Sequence, residues 1–174
     1  MADSSSWHLD TSVIIAIARK EDRQDANEVR GVKEIEKEIN RNGSKKRSLR
    51  FSAMAYYECY PKHQSNLDKR ERIGKQVEDW MDRFRHTVSA VGVSPNIAST
   101  ARTLRQQFQS AVDQNHQLSN CDWIHLATAI ELSASHFFTF DQGILTVGKQ
   151  KEVLERISVW NPSELLDPGP IFAT

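Results

Sequence analysis

Apolar and polar residues recur along the chain with two different periods. Short apolar runs are typical of buried strands, and longer segments with apolar residues three and four positions apart are typical of helices that bury one face. The pattern predicts strands at 7–9, 49–52, 87–93, 136–140 and 157–160, and helices at 11–18, 25–39, 53–60, 73–84, 97–111 and 122–130. Because strands and helices alternate without an internal repeat or a linker, we predict one α/β domain with a mostly parallel sheet between helices.

Turn and capping residues set the expected boundaries of several elements. Ser94 followed by Pro95 is typical of a helix start, with a serine N-cap and proline at the first helical position. The segment 161–164, Asn-Pro-Ser-Glu, fits a capping box. A turn is expected at 42–44, and the ordered core is expected to cover about residues 7–166, with a loosely ordered C-terminal tail.

The most informative segment is 118–145, which contains two aspartates. Asp122 is predicted to open a helix, because Ser119 lies three residues before it and the following turns are almost wholly apolar. Asp141 directly follows the predicted strand 136–140. Open α/β sheets bind ligands at the carboxyl ends of parallel strands, so both aspartates are candidate site residues.

Two further carboxylates lie earlier in the chain. Asp10 directly follows the first predicted strand and could simply cap the next helix. Glu58 lies in a helix rich in alanine, methionine and tyrosine, where a carboxylate is costly unless it is exposed, paired or bound to a metal. Each acid alone has an ordinary explanation, as a cap or as a solvent-facing side chain.

The four carboxylates together predict a divalent-cation site. Like charges gathered in one cleft repel and raise one another's pKa values unless cations neutralise them. Oxygen ligands without nearby thiolates suit Mg²⁺ or Mn²⁺, and one or two such ions can activate water and hold a phosphodiester for in-line displacement. The predicted chemistry is therefore that of a nuclease, with catalytic and metal-binding residues Asp10, Glu58, Asp122 and Asp141.

Other kinds of phosphate or covalent chemistry fit the sequence less well. Neither of the glycine-rich phosphate-binding motifs, G-x-x-x-x-G-K-[ST] and G-x-G-x-x-G, occurs. The D-x-D motif of phosphoaspartate phosphatases is absent, since Thr11 and Ser12 follow Asp10. Covalent catalysis by serine or cysteine lacks a convincing motif as well.

The formal charge is balanced overall but uneven along the chain. The 174 residues contain 23 Lys and Arg and 23 Asp and Glu, which argues against binding nucleic acid through bulk charge. Residues 1–75 contain 16 basic and 12 acidic side chains, a charge of +4, and the remainder contains 7 and 11, a charge of −4. The densest basic cluster is either a solvated surface or a substrate-binding surface that contacts phosphates. It consists of Lys45, Lys46, Arg47 and Arg50.

The composition is typical of a soluble protein. A hydrophobic fraction of 39% is enough for one core of ordinary size. The apolar run at 13–18 is far shorter than the roughly 20 residues that a bilayer requires, and the first residues show no secretory signal. Cys59 and Cys121 lack C-x-x-C spacing, so we expect buried, inert thiols rather than a disulfide or a zinc site. We therefore expect a cytoplasmic protein without membrane association.

Four pieces of the sequence resemble the PIN domain ribonucleases. They are HLDTSVII, FSAMAYYECY, DWIHLATAIELSASHFFTFD and VWNPSELL. The third is the most specific, because an acid, a helix of small residues, an apolar strand and T-x-D occur together in the family's order. The resemblance extends over essentially the whole chain, from Trp7 to about Leu166.

The resemblance implies an α/β/α sandwich and metal-dependent hydrolysis of RNA. It places the four predicted acids at the family's acidic positions, and Ser12 and Thr139 at its small hydroxyl positions beside the metal. We interpret His125, which falls within the family's helix pattern, as a hydrogen-bonded core residue rather than a ligand, and His8 likewise.

Many PIN proteins of this kind look like VapC toxins of toxin–antitoxin pairs, which are often homodimers held inactive by a partner peptide. This chain is longer than a compact toxin, carries an added charged segment at about 25–50 and is neutral overall. Two alternatives stay open at this point. One is a PIN-like module that binds RNA or protein without cutting, and the other is a nuclease for single-stranded or flap DNA.

Overall fold

The computed structural model describes residues 6–19, 25–41, 48–59 and 67–166, and only the backbone of 67–70. The predicted turn at 42–44, the basic residues 45–47 and the C-terminal tail beyond residue 166 lie outside these ranges.

One five-stranded, all-parallel sheet forms the centre of the fold, in the order β3-β2-β1-β4-β5. The strands are β1 Ser6–Leu9, β2 Ser48–Ser52, β3 Val88–Val91, β4 His136–Phe138 and β5 Ser158–Trp160. After β1, the chain adds β2 and then β3 on one side of it, and later adds β4 and β5 on the other side. The strand order therefore reverses between β1 and β4. Ligands of open α/β sheets bind at such a switch point, at the carboxyl ends of the strands.

Helices connect the strands and cover both faces of the sheet. They are α1 Thr11–Arg19, α2 Ala26–Arg41, α3 Met54–Cys59, α4 Leu67–Phe84, α5 Pro95–Phe108, α6 Asn120–Glu131, α7 Gln142–Gly148 and α8 Lys151–Leu154. Short 3₁₀ turns follow at Gln109–Ala111, Gln114–His116 and Pro162–Leu166. Within the described ranges, none of the helices has the length and apolar character needed to cross a bilayer.

Two hydrophobic cores lie on opposite faces of the sheet. Helices α1 to α4 bury residues such as Ile14 and Ile35 in the first core. Helices α5 to α8 bury residues such as Leu126 and Ile144 in the second. The predicted three-layer α/β/α sandwich is confirmed, and the predicted mostly parallel sheet is parallel throughout.

The central strand β1 is buried on both faces, as parallel strands between helical layers usually are. Successive side chains of a strand point to opposite faces. Trp7 and Leu9 therefore belong to the first core, and the ring of His8 packs in the second layer, 5.4 Å from the ring of Phe137. This burial fixes the end of β1, and with it the position of Asp10.

Two predicted capping motifs are confirmed by their hydrogen bonds. The Ser94 hydroxyl accepts the backbone N–H of Ile97 at 3.2 Å, with Pro95 in the first turn of α5. The Glu164 carboxylate accepts the backbone N–H of Asn161 at 2.7 Å, the reciprocal bond of a capping box, although the element that follows is a 3₁₀ turn.

Strand β4 is shorter than predicted, because Thr139 turns the chain out of the sheet. Its backbone N–H still donates to the Trp160 carbonyl at 3.0 Å. Its hydroxyl accepts the backbone N–H of Asp141, also at 3.0 Å, which bends the chain after Phe138. Likewise, β3 covers four of the seven residues predicted at 87–93.

Cys59 and Cys121 are buried and are not joined in a disulfide, as expected. Burial raises the pKa of the Cys59 thiol to about 12, so this thiol stays protonated at neutral pH.

The charged helix α2 is held against the turn Pro162–Leu166 by a glycine. A Cβ atom on Gly31 would lie 1.9 Å from the Pro162 carbonyl oxygen and 2.8 Å from the Ser163 backbone nitrogen. The Asn161 amide also donates to the Glu28 carboxylate at 3.3 Å. Residue 31 must therefore be glycine for the helix to approach this closely.

We predict that Gly31→Ala lowers the free energy of unfolding by about 2 kcal/mol, because the added methyl group forces two backbone segments apart. The direction is informative, since alanine in an unobstructed helix is about 1 kcal/mol more favourable than glycine. Urea denaturation measures the effect. Gly92→Ala is the control, because a Cβ atom on Gly92 would meet nothing within 4 Å. Equal stability of Gly31→Ala and the parent would contradict the observed packing.

Candidate active site

Asp10 lies at the end of β1, at the switch point of the sheet. Its backbone N–H donates to the Phe138 carbonyl at 3.0 Å, and its own carbonyl accepts the first backbone bonds of α1. Its carboxylate is almost completely buried, with 4% exposure. The Asp10 side chain therefore points into the junction of β1 and β4.

Two hydroxyl groups orient the Asp10 carboxylate. Ser12 Oγ donates to Asp10 Oδ2 at 2.6 Å, and Thr139 Oγ1 donates to the same oxygen at 2.9 Å. Ser12 also accepts the backbone N–H of Phe140 at 3.2 Å. The two predicted supporting residues thus contact the first predicted ligand directly and tie it to the end of β4.

Asp122 is the third residue of α6 and half of a capping box. Its Oδ2 accepts the Ser119 backbone N–H at 2.6 Å, and its own backbone N–H donates to the Ser119 hydroxyl at 3.4 Å. Burial raises the pKa of the Asp122 carboxyl. The bonds from Ser119 oppose this shift, and the negative charges of Asp10 and Asp141 add to it. This repulsion indicates that the three aspartates share one electrostatic environment.

Asp141 caps α7, the helix that follows β4. Its Oδ1 accepts the Ile144 backbone N–H at 2.9 Å. A Cβ atom on Gly143 would lie 2.4 Å from the His116 carbonyl and 3.1 Å from Asp141 Oδ1, so a glycine is required for this close approach. One carboxylate oxygen of Asp141 therefore caps α7, which is the ordinary role that the sequence allowed for this residue.

Glu58 points towards α1 and α6 and is 21% exposed. Its Oε2 accepts a short hydrogen bond from Thr11 Oγ1 and lies 2.7 Å from His125 Nε2. These contacts show that Glu58 is not a solvent-facing side chain. Unlike the three aspartates, it is paired with a histidine.

Sequence reasoning left Thr11 and His125 outside the site. His125 is completely buried and hydrogen-bonded, as expected, but its partners are Glu58 and Thr11. Burial acts to lower the pKa of His125, and the bond to Glu58 with the surrounding negative charges outweighs it, so the pKa is raised. Helical spacing could have indicated this role, because His125 lies three residues after Asp122 on the same face.

His8 does not match its expected role as a hydrogen-bonded core residue. Both ring nitrogens are buried, and neither has a hydrogen-bond partner among the residues that the structure describes. Burial lowers the pKa of His8 well below its usual value, with further lowering by the His125 and Arg50 charges, so the ring is neutral.

Of the four predicted substrate-binding residues, the structure describes one. Arg50 lies inside β2, beside His8 of β1 and Ser89 of β3, and is half-buried. It belongs to the sheet rather than to an exposed basic surface. Lys45, Lys46 and Arg47 lie outside the described ranges.

The donor set of the three aspartates fits a divalent cation. One carboxylate oxygen of each aspartate accepts hydrogen bonds from neighbouring residues. The second oxygen of each accepts none from the described parts of the chain. In those parts, no group of three or more His, Cys, Asp or Glu side chains lies close enough together to hold a metal ion. Mg²⁺, however, is commonly bound by one or two carboxylates and several waters.

Comparison with known proteins identifies the family. The family model of the PIN domain matches residues 8–150, which is most of the chain and includes all four predicted acids. No curated protein sequence matches the chain.

Solved structures with the same fold include two toxin–antitoxin assemblies. One is VapBC2 from Rickettsia felis bound to a DNA fragment from its promoter, with 12% identity, a TM-score of 0.54, and coverage of 90% of this chain and 98% of that chain. The other is VapBC-1 from nontypeable Haemophilus influenzae, with 14% identity, a TM-score of 0.54, and coverage of 91% and 98%. At these identities the likeness shows the fold.

We predict that Thr139→Val lowers the free energy of unfolding by about 2 kcal/mol, because it removes a buried hydroxyl that bonds both Asp10 and the backbone of Asp141. Urea denaturation measures the loss. Thr146→Val is the matched control, since that exposed hydroxyl donates only to the Gln142 carbonyl, and a change within about 0.5 kcal/mol is expected. Equal losses in both variants would show that Thr139 has no special role.

Proposed function

We propose, because the chain belongs to the PIN domain family of nucleases, that it is an endoribonuclease that depends on Mg²⁺ or Mn²⁺. One observation carries the proposal. Asp10 and Asp141 follow the neighbouring strands β1 and β4, the charges of both raise the pKa of Asp122, and each of the three keeps one oxygen without a hydrogen bond to a described residue. Such an arrangement costs free energy through repulsion, and a bound cation would offset that cost.

The residues of the chain have distinct roles in this proposal. Asp10, Asp122 and Asp141 would hold the cation, which when bound supplies positive charge to the phosphodiester and lowers the pKa of a water molecule. Ser12 and Thr139 orient the Asp10 carboxylate. Attack of water on phosphorus would leave a 5′-phosphate and a 3′-hydroxyl.

Glu58, the fourth predicted metal-binding residue, contacts two neighbouring side chains. Thr11 and His125 both engage its Oε2, so this oxygen is committed inside the protein. We propose that Glu58 adds its negative charge to the acidic site, since its charge and those of Asp10 and Asp122 all act on His125. Its place among the metal-binding residues stays a prediction.

We further propose that the chain is the toxin of a toxin–antitoxin pair and that it forms a homodimer. The solved structures with its fold include two VapBC assemblies, which supports an antitoxin partner. The gene immediately upstream tests this proposal. A short reading frame with a DNA-binding start and an amphipathic end, whose product blocks cleavage, is the expected result.

We predict that Asp10→Asn and Asp122→Asn each lower metal-dependent cleavage of single-stranded RNA by about 100-fold or more, because each removes a negative charge that would hold the cation. Both asparagines can still accept the bonds from Ser12, Thr139 or Ser119, so the fold should persist. The measurement is the initial cleavage rate with Mn²⁺ or Mg²⁺, together with the rise in Tm that Mn²⁺ produces, which both variants should lose.

Asp25→Asn is the matched control, because Asp25 is also a capping aspartate and lies on the exposed start of α2. It should keep both the cleavage rate and the Mn²⁺ effect on Tm. If Asp10→Asn and Asp122→Asn cut RNA as fast as the parent, another site or a contaminant is responsible. Mn²⁺ binding absent at millimolar concentration would favour a module that binds without cutting, and faster cleavage of single-stranded DNA would favour a deoxyribonuclease.

A further inference from the structure

A cavity lies between α5 and α6, and one residue of its wall, Trp123, directly follows Asp122 in the sequence. Its volume is about 280 Å³, and its lining includes Ala98, Arg102 and Arg105 from α5 and Asn120 and Trp123 from α6. A cavity of roughly 150 Å³ can hold a benzene-sized molecule. The cavity is therefore large enough for one aromatic ring system.

An unpartnered indole belongs to the wall of this cavity. Trp123 is 1% exposed, and its Nε1 has no hydrogen-bond acceptor among the described residues. A buried indole N–H usually finds a partner, and an orphaned one costs free energy. Because this nitrogen has almost no accessible surface, Trp123 contributes only its other ring atoms to the cavity wall, with Ala98, Ala101 and Ile124.

The rim of the cavity carries two arginines and no acid. Arg105 donates to Asn120 at 2.8 Å and to Gln109 at 3.0 Å, both neutral side chains. Arg102 is exposed and makes no hydrogen bond or ion pair within the described ranges. Two guanidinium groups without carboxylate partners favour an anionic ligand, for which arginine is well suited.

The start of α6 lines the cavity and also carries Asp122. Asn120 is the first residue of α6, and Asp122 is the third. Trp123 follows Asp122, and successive helical residues point about 100° apart. The same helical turn therefore presents a carboxylate to the proposed metal site and an indole to the cavity.

We propose that this cavity binds one nucleobase of the single-stranded RNA substrate, in the nucleotide next to the cleaved bond. The apolar wall of Ala98, Ala101 and Ile124 covers the ring of the base, and Arg102 contacts the adjoining phosphate. An unpaired base is required, because a base inside a duplex could not enter the cavity. This inference rests on the proposed ribonuclease function.

Binding can be measured without cleavage, which separates the two proposals. The probe is a fluorescently labelled 12-nucleotide oligouridine in the presence of EDTA, and the readout is fluorescence anisotropy. Arg102→Gln should weaken binding about 5- to 10-fold and reduce the slope of log Kd against log salt by about 0.7, the value for one phosphate contact on a single strand. Ala98→Phe, which fills the cavity from an exposed position, should weaken binding about tenfold at an unchanged salt slope.

Arg83→Gln is the matched control for charge. Arg83 is exposed near the end of α4, just before the start of β3. It therefore lies at the amino-terminal edge of the sheet, whereas Asp10 and Asp141 follow the carboxyl ends of strands. It should bind the oligonucleotide as the parent does. In cleavage assays with Mn²⁺, Arg102→Gln should raise KM with kcat within about twofold, since it removes binding rather than chemistry.

The possible outcomes separate the two proposals. A parent that binds the oligonucleotide but never cuts it, with binding weakened in Arg102→Gln and Ala98→Phe, would overturn the ribonuclease function and support the cavity as an RNA site. A parent that cuts RNA with unchanged KM in both variants would overturn the cavity proposal alone. The cavity proposal would also be overturned if Arg102→Gln and Ala98→Phe bind RNA normally but change the oligomeric state measured by sedimentation. The cavity would then be part of a protein interface.

Discussion

Repulsion among three carboxylates is the constraint on which the site depends. Asp10 and Asp141 each make ionisation of Asp122 less favourable, so bringing the three together costs free energy. Hydrogen bonds offset part of this cost, because one oxygen of each aspartate accepts a bond from a neighbouring residue. The carboxylates are therefore held in place by the protein alone.

Thr139 connects this constraint to the sheet. Its backbone N–H bonds to β5, its hydroxyl donates to the carboxylate at the end of β1, and the same hydroxyl accepts the N–H that starts the turn after β4. One side chain therefore fixes the relative positions of the strand ends on both sides of the switch point. A valine has the same shape but could make neither of the hydroxyl bonds.

The sequence allowed the fold to be predicted and the four acids to be chosen as candidates, but it did not give the side chains that contact these acids. Buried strands and amphipathic helices are local patterns, so their order gave the three-layer architecture, and capping residues such as Ser94 and Ser119 gave helix starts directly. The partners of Glu58 could not be found in this way, because Thr11 and His125 lie 47 and 67 residues from it in sequence. The end of β4 was also misjudged, since a side-chain hydrogen bond of Thr139 decides it and β propensity does not.

The first turn of α6 shows why a buried helix can serve several purposes at once. Its N-terminal residues need capping, which Ser119 and Asp122 provide for each other, and this leaves one Asp122 oxygen facing the other acids. The next residue, Trp123, points to the α5 side because the helix turns by about 100° per residue. A base in the adjoining cavity would therefore lie at a distance from Asp122 that is fixed by helix geometry, not by a mobile loop. Rigid elements hold reacting groups more accurately than loops do, so the register between a bound nucleotide and the carboxylates would be built into α6 itself.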